Sequence, residues 1–88
     1  MSFDYQAELK KLADAVFAVL EDGAESTLEE TTERCDAPQA RDPVFGETNV
    51  HGALAFLLRE GRVECRRGKK DGKKTLFWRR RLVSDARL

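Results

Sequence analysis

Two cysteines and one histidine are all that this 88-residue sequence has of the residues that most often carry redox and metal chemistry. Cys35 and Cys65 are too few for a disulfide framework and are expected as reduced thiols of a cytoplasmic protein. With His51 they would make at most a sparse zinc site, and no C-x-x-C or H-x-x-x-H spacing supports one, so no metal and no cofactor is expected. No apolar run approaches the ~18 residues of a membrane span, which removes a membrane from the expected partners. The start, Met1-Ser2-Phe3-Asp4-Tyr5, lacks the charged region and apolar stretch of a secretory signal. No serine stands with a neighbouring histidine and acid, and there is no glycine-rich phosphate loop. Gly68-Lys69-Lys70 lacks the preceding glycine and the flanking helix of a P-loop. A chain this short also has no second lobe to close a cleft, so an enzyme is not expected. Internal repeats and low-complexity tracts are missing as well.

What is present is charge, unevenly distributed. Residues 1–58 hold four basic residues against twelve acids, and residues 59–88 hold twelve against four. The net charge of zero is therefore −8 and +8 on one chain. Such asymmetry is found in chains with a nucleic-acid or membrane partner, and nucleic acid is the one expected here. Length allows one small domain, residues 1–88, with 5–82 as its ordered core and 83–88 as a frayed tail. The charged fraction of 36% does not imply disorder, because the apolar residues are periodic.

Tyr5, Leu9, Leu12, Ala13, Val16, Phe17 and Leu20 fall on one helical face, opposite Lys10, Lys11 and Asp14. Ser2 or Asp4 can cap this first helix, and Glu21-Asp22-Gly23 ends it. A second helix is expected from Thr27 to about Ala37, with a capping box of Ser26 and Glu29, inward Leu28, Thr31 or Thr32 and Cys35, and a stop at Pro38. Asp36 to Glu47 reads as loop, with Val44 and Phe45 pinning it to the body. A third helix is expected from a cap at Thr48 to Glu60, with Val50, Ala53, Leu54, Leu57 and Leu58 inward and Gly61 at its end.

The remainder reads as a hairpin. A two-residue type I′ turn at Asp71-Gly72 sets Lys70 opposite Lys73 and Lys69 opposite Lys74. It also sets Arg67 opposite Leu76, Cys65 opposite Trp78, Glu64 opposite Arg79 and Val63 opposite Arg80. Val63, Cys65, Leu76 and Trp78 then share an inner face, and Glu64 with Arg79 makes a cross-strand ion pair. Leu82 and Val83 are expected to pack back, and Ser84 to Leu88 to fray.

The run Val50…Ala53-Leu54…Leu57…Glu60-Gly61-x-Val63, followed by Trp78-Arg79-Arg80-Arg81-Leu82, resembles the winged helix-turn-helix domains of bacterial and archaeal regulators. The resemblance spans about residues 5 to 82. It implies an α+β, mainly α fold: three helices plus a two-stranded C-terminal wing. It implies a recognition role for the third helix, and double-stranded DNA as partner of a small transcriptional regulator or accessory factor, often dimeric. Helix one or the C-terminal tail would then be the homodimer contact.

The residues themselves carry part of this. Facing lysines destabilise a hairpin, so their retention favours phosphate contact over a merely solubilising tip. The wing candidates are Arg66, Arg67, Lys69, Lys70, Lys73, Lys74 and Arg79, with Arg80 and Arg81 adjoining. On helix three, Thr48, Asn49, His51 and Arg59 would approach the major groove, Asn49 suited to adenine and Arg59 to guanine or phosphate. The rest of its outer face is Gly52, Ala55 and Phe56. Glu29, Glu30 and Glu33 suit the helix dipole but repel phosphate, so a DNA-bound second helix must turn them away. Alternatively, acidic and basic halves of neighbouring copies pair head to tail. The rival function is a winged helix used for protein contacts through Phe56, Phe77 and the acidic helix. A third class is RNA or single-strand binding through Phe77 and the arginines. Trp78 is most simply core.

Overall fold

The computed structural model describes residues 5–81. The expected caps Ser2 and Asp4, and the segment from Leu82 to Leu88 with its packing and fraying, lie outside the described residues. The order is α1 (Tyr5–Val19), α2 (Leu28–Arg34), α3 (Gly46–Arg59), β1 (Val63–Lys70) and β2 (Lys73–Arg80). Three helices are followed by one antiparallel hairpin, a mainly α arrangement consistent with winged-helix topology.

In α1 the expected stripe is buried at Leu12, Ala13 and Val16, and Leu20 is buried just beyond the helix. Gly23 follows at φ 73°, a conformation that suits glycine, and its N–H bonds the Leu20 carbonyl at 3.1 Å. The last turn of α1 has no basic residue of its own. Its free carbonyls are met from elsewhere. The Arg80 guanidinium donates twice to Phe17 O, at 3.1 and 2.8 Å, and Arg34 donates to Val19 O at 2.9 Å. Arg62 and Arg80 both lie over the Phe17 ring, at 4.2 and 3.8 Å from its centre.

The capping box of α2 is one residue later than the sequence suggests. Thr27 and Glu30 form it, not Ser26 and Glu29: Glu30 N bonds Thr27 Oγ1 at 3.2 Å and Thr27 N bonds Glu30 Oε1 at 3.0 Å. Ser26 is otherwise engaged. Its N–H and carbonyl exchange bonds with Trp78, both at 2.8 Å, adding a single β-bridge to the edge of β2. Inside, Ser26 Oγ meets Thr31 Oγ1 at 2.8 Å, and Thr31 Oγ1 donates to Thr27 O at 2.7 Å. The helix stops at Arg34 rather than Ala37, because Cys35 turns extended (φ −91°, ψ 124°) and is fully buried. Thr31 is likewise buried.

The following loop is pinned by Ala40, not by Val44 and Phe45. Ala40 is buried, whereas Val44 and Phe45 stay 74% and 58% exposed. The turn before α3 explains why: Asp42 Oδ1 accepts from Val44 N and Phe45 N, both at 2.8 Å, and Asp42 O accepts from Gly46 N at 2.9 Å. This tight turn aims the two apolar side chains outward. It also starts α3 at Gly46, ahead of the expected Thr48 cap. A Cβ on Gly46 would sit 2.4 Å from Ala40 O, so the close approach of loop and helix requires glycine there.

Val50, Ala53, Leu54 and Leu57 are buried as expected, but Leu58 is 44% exposed, since the next residue after Leu57 is rotated ~100° off the buried stripe. Phe56, expected outside, is half-buried against the core. Gly61 (φ 75°) ends the helix, with Arg62 N bonding Leu57 O at 2.9 Å.

The hairpin has the register that its turn implies, from Val63 opposite Arg80 to Lys70 opposite Lys73. Asp71 and Gly72 have φ of 53° and 79°, the two left-handed residues of a type I′ turn. Val63 and Trp78 are buried against the helices, and Cys65 is half-buried. Leu76 is exposed, against expectation: it lies about 7 Å nearer the tip than Trp78, where the strands have run past the body.

Candidate nucleic-acid interface

The hairpin's alternation sorts its cations onto two faces. Glu64, Arg66, Lys70, Lys73, Phe77 and Arg79 project to the outer face. Arg67, Lys69, Lys74 and Leu76 project to the other, in line with the core residues Val63, Cys65 and Trp78.

On the outer face the charges are largely satisfied within the molecule. Arg66 makes a two-pronged contact with the Glu25 carboxylate, with Nη2 to Oε1 at 2.6 Å, while its guanidinium lies 4.7 Å over the Phe77 ring. Gly68 leaves room for this stack, since a Cβ there would come 2.7 Å from the Phe77 ring and 2.8 Å from Arg66 Nη1. Arg79 Nε meets Glu64 Oε2 at 2.8 Å, the expected cross-strand pair. Lys70 Nζ pairs with Glu30 Oε2. The hydrogen bond from Arg66 is the main cause that lowers the Glu25 carboxyl below its ordinary range, and Glu25 in turn raises Arg66. Glu30 is lowered chiefly by Lys70 and then by the Thr27 N–H, and Lys70 is raised chiefly by Glu30.

On the inner face the situation is reversed. Arg67, Lys69 and Lys74 are exposed and form no ion pair among the described residues; neither does Lys73 at the tip. Arg67, Lys69 and Lys74 line a shallow recess with Gly68, Thr75 and the exposed Leu76. Lys69 and Lys74 face each other with no carboxylate between them, which costs the hairpin stability.

Helix α3 places its candidates differently. Asn49 is half-buried and its amide donates to Gln39 O at 2.9 Å, so the group suited to an adenine edge is holding the loop instead. Gln39 in turn donates to Glu8 at 3.1 Å. His51 stands edge-on to Trp78, with ring centres 6.0 Å apart. Thr48, Asn49, His51 and Gly52 line a cleft against Tyr5, Glu8, Leu9 and Leu12 of α1. Arg59 is exposed at the opposite end of the helix, ten residues or about 15 Å from Asn49. The wing candidates thus all lie on the hairpin, divided between its two faces, while Asn49 and Arg59 of α3 lie at opposite ends of their helix. Among the described residues no group of three or more His, Cys, Asp or Glu is placed to hold a metal ion.

The acids of α2 do not turn away from the wing, as DNA binding was expected to require. Glu29, Glu30 and Glu33, with Thr27, line a cleft whose other wall is Lys70, Asp71, Lys73, Lys74 and Thr75. Glu25 and Glu30 are the participants that sequence reasoning missed as partners of the wing. A one-residue bridge at Ser26 has no periodicity to betray it, and that bridge is what carries Glu25 to the hairpin.

No family model, no curated protein and no solved structure matches this chain. Among the described residues no helix is long and apolar enough to cross a membrane.

Proposed function

We propose that this chain is an accessory DNA-binding module that holds duplex phosphates on its wing and does not read bases with α3. The observation that carries the reading is the set of unpaired cations Arg67, Lys69, Lys73 and Lys74 around one protruding turn, in a molecule that neutralises other wing cations internally. Arg67 and Lys69 line a recess without an acid, and Lys73 and Lys74, which also border the α2 acids, pair with none of them; all four are exposed, so a phosphate reaches them without breaking an ion pair among the described residues. The engaged Asn49 amide and the distance to Arg59 argue against a base-reading row on α3, so sequence tolerance is expected. Four phosphate contacts give a non-specific grip in the range of about 10⁻⁴ to 10⁻⁶ M at physiological salt.

Alanine at Arg67, Lys69, Lys73 and Lys74 together tests this. Fluorescence anisotropy with a labelled random-sequence duplex should show binding by the native chain and none by the variant, whose thermal melt should be no lower than the native one. A variant that folds and binds as well as the native chain would refute the wing as the grip.

A second reading rests on the exposure of Val44 and Phe45, which the Asp42 turn holds outward beside α3. It moves the protein-contact surface away from Phe56 and Phe77, since Phe56 packs on the core and Phe77 lies under Arg66. Under this reading Val44→Ser with Phe45→Ser abolishes a partner interaction; under the first it leaves duplex binding unchanged.

A further inference from the structure

We infer that Glu25 and Glu30 are built-in competitors of the nucleic acid for Arg66 and Lys70, so that the wing carries two further phosphate-binding positions in a masked state. This rests on the wing being the grip.

Both carboxylates are held in place by backbone features that have their own reasons to exist. Glu25 precedes Ser26, whose N–H and carbonyl are each bonded to Trp78 at 2.8 Å. That bridge fixes Glu25 beside β2, where both its oxygens meet the Arg66 guanidinium. Glu30 is the far member of the α2 capping box. Its Oε1 accepts from Thr27 N at 3.0 Å, which leaves Oε2 for Lys70 Nζ. A carboxylate on a freely moving side chain yields to a phosphate readily. A carboxylate held in position competes at a high effective concentration, because its ordering has already been met by folding.

The pairs are nonetheless open to exchange. The Arg66 and Lys70 side chains are 57% and 46% exposed, so an incoming phosphate can reach either cation from solvent. The Phe77 ring beneath Arg66 keeps the guanidinium extended along the outer face whichever anion it holds. The consequence is a partner requirement. An isolated phosphate gains one contact and must displace a prearranged carboxylate for it. A duplex is already held at the tip by the free cations, among them Lys73, which faces Lys70 on the outer face, and from there it meets Lys70 and Arg66 in the same encounter.

Removing the two carboxylate charges should therefore raise the number of phosphate contacts from four towards six. The test compares the native chain, Glu25→Gln with Glu30→Gln, and a control, Glu21→Gln with Asp36→Asn. The control makes the same charge change at exposed acids that form no ion pair among the described residues. Glutamine at position 30 keeps an acceptor for the capping box. Anisotropy titrations of a random duplex are run at several salt concentrations. The Glu25/Glu30 variant should bind more tightly at ~50 mM salt. Its log–log salt slope should steepen by about 1.8, an extra loss of about twelvefold between ~50 and ~200 mM. The control should keep the native slope. Glu25→Gln alone, which leaves the capping box intact, should steepen the slope by about 0.9 and serves if the double variant fails to fold. If the native chain binds and the Glu25/Glu30 variant behaves like the control, the competitor role is wrong and the wing reading stands. If neither the native chain nor the variant binds at ~50 mM salt, the wing reading fails, and this inference with it.

Discussion

Gly46 is the residue at which the fold has least freedom. The Ala40 carbonyl oxygen lies only 2.4 Å from where a Cβ on Gly46 would be, and a backbone carbonyl cannot swing aside as a side chain can. Gly46→Ala is expected to destabilise the domain by roughly 1–3 kcal/mol in urea denaturation, despite alanine's better helix propensity. The sequence marks Gly46 only as one more breaker in a Pro/Gly-containing loop, and nothing local reveals that Ala40 will press against it. The same limit explains Val44 and Phe45. Apolar residues in a loop suggest anchoring, but the direction in which they point is set by the Asp42 turn, two N–H bonds to its carboxylate and one to its carbonyl. The two alanines of the loop are what fit against the core, Ala40 buried and Ala37 half-buried. Leu58 shows the converse error, an apolar residue assigned inward for its type when the helical angle carries it out.

Elements were more legible than residues. The hairpin register followed from one turn, because period-2 alternation leaves no freedom once Asp71 and Gly72 are placed. Most of the stripes of α1 and α3 follow from period 3.6; Tyr5, at the start of α1, is the exception there and stays 62% exposed. The start of α2 shifted by one residue because Ser26 was claimed by β2, a long-range demand invisible to a local capping rule. That shift matters for function, since it makes Glu30 rather than Glu29 the capping acid and sets its second oxygen against Lys70.

The contact between α2 and the wing should also be visible in the pH dependence of stability. Glu25 and Glu30 are both held below the ordinary glutamate value of 4.5 by their cations, and Asp42 is held below 3.8 by the N–H groups of Phe45 and Val44. A group whose folded value is depressed stabilises the fold above its unfolded value and loses that contribution as pH falls through the folded one. Thermal melts should therefore show these contributions intact from pH ~7 down to ~5 and progressively lost below ~4.5. Glu25→Gln with Glu30→Gln should flatten the acid limb; an unchanged limb would mean that the pairs contribute nothing to folding.

For the whole molecule, the separation of −8 and +8 along the chain is partly undone by folding. The acidic first half sends Glu25 and Glu30 onto the basic hairpin, which answers within one copy what head-to-tail pairing would answer between two. On the described part of the wing, Arg67, Lys69, Lys73 and Lys74 are left without an ion pair. The fold class was readable in advance, and so was the wing as the place where cations gather. Which of those cations are free was not readable, because it depends on contacts between residues about forty positions apart in sequence.

The salt dependence of duplex binding by the native chain tests the central claim most directly. With four free wing cations as the grip, the log of the association constant should fall against the log of salt with a slope of about −3.6, a loss of roughly 150-fold between ~50 and ~200 mM. Binding that ignores salt, or no binding to duplex at ~50 mM, would contradict it.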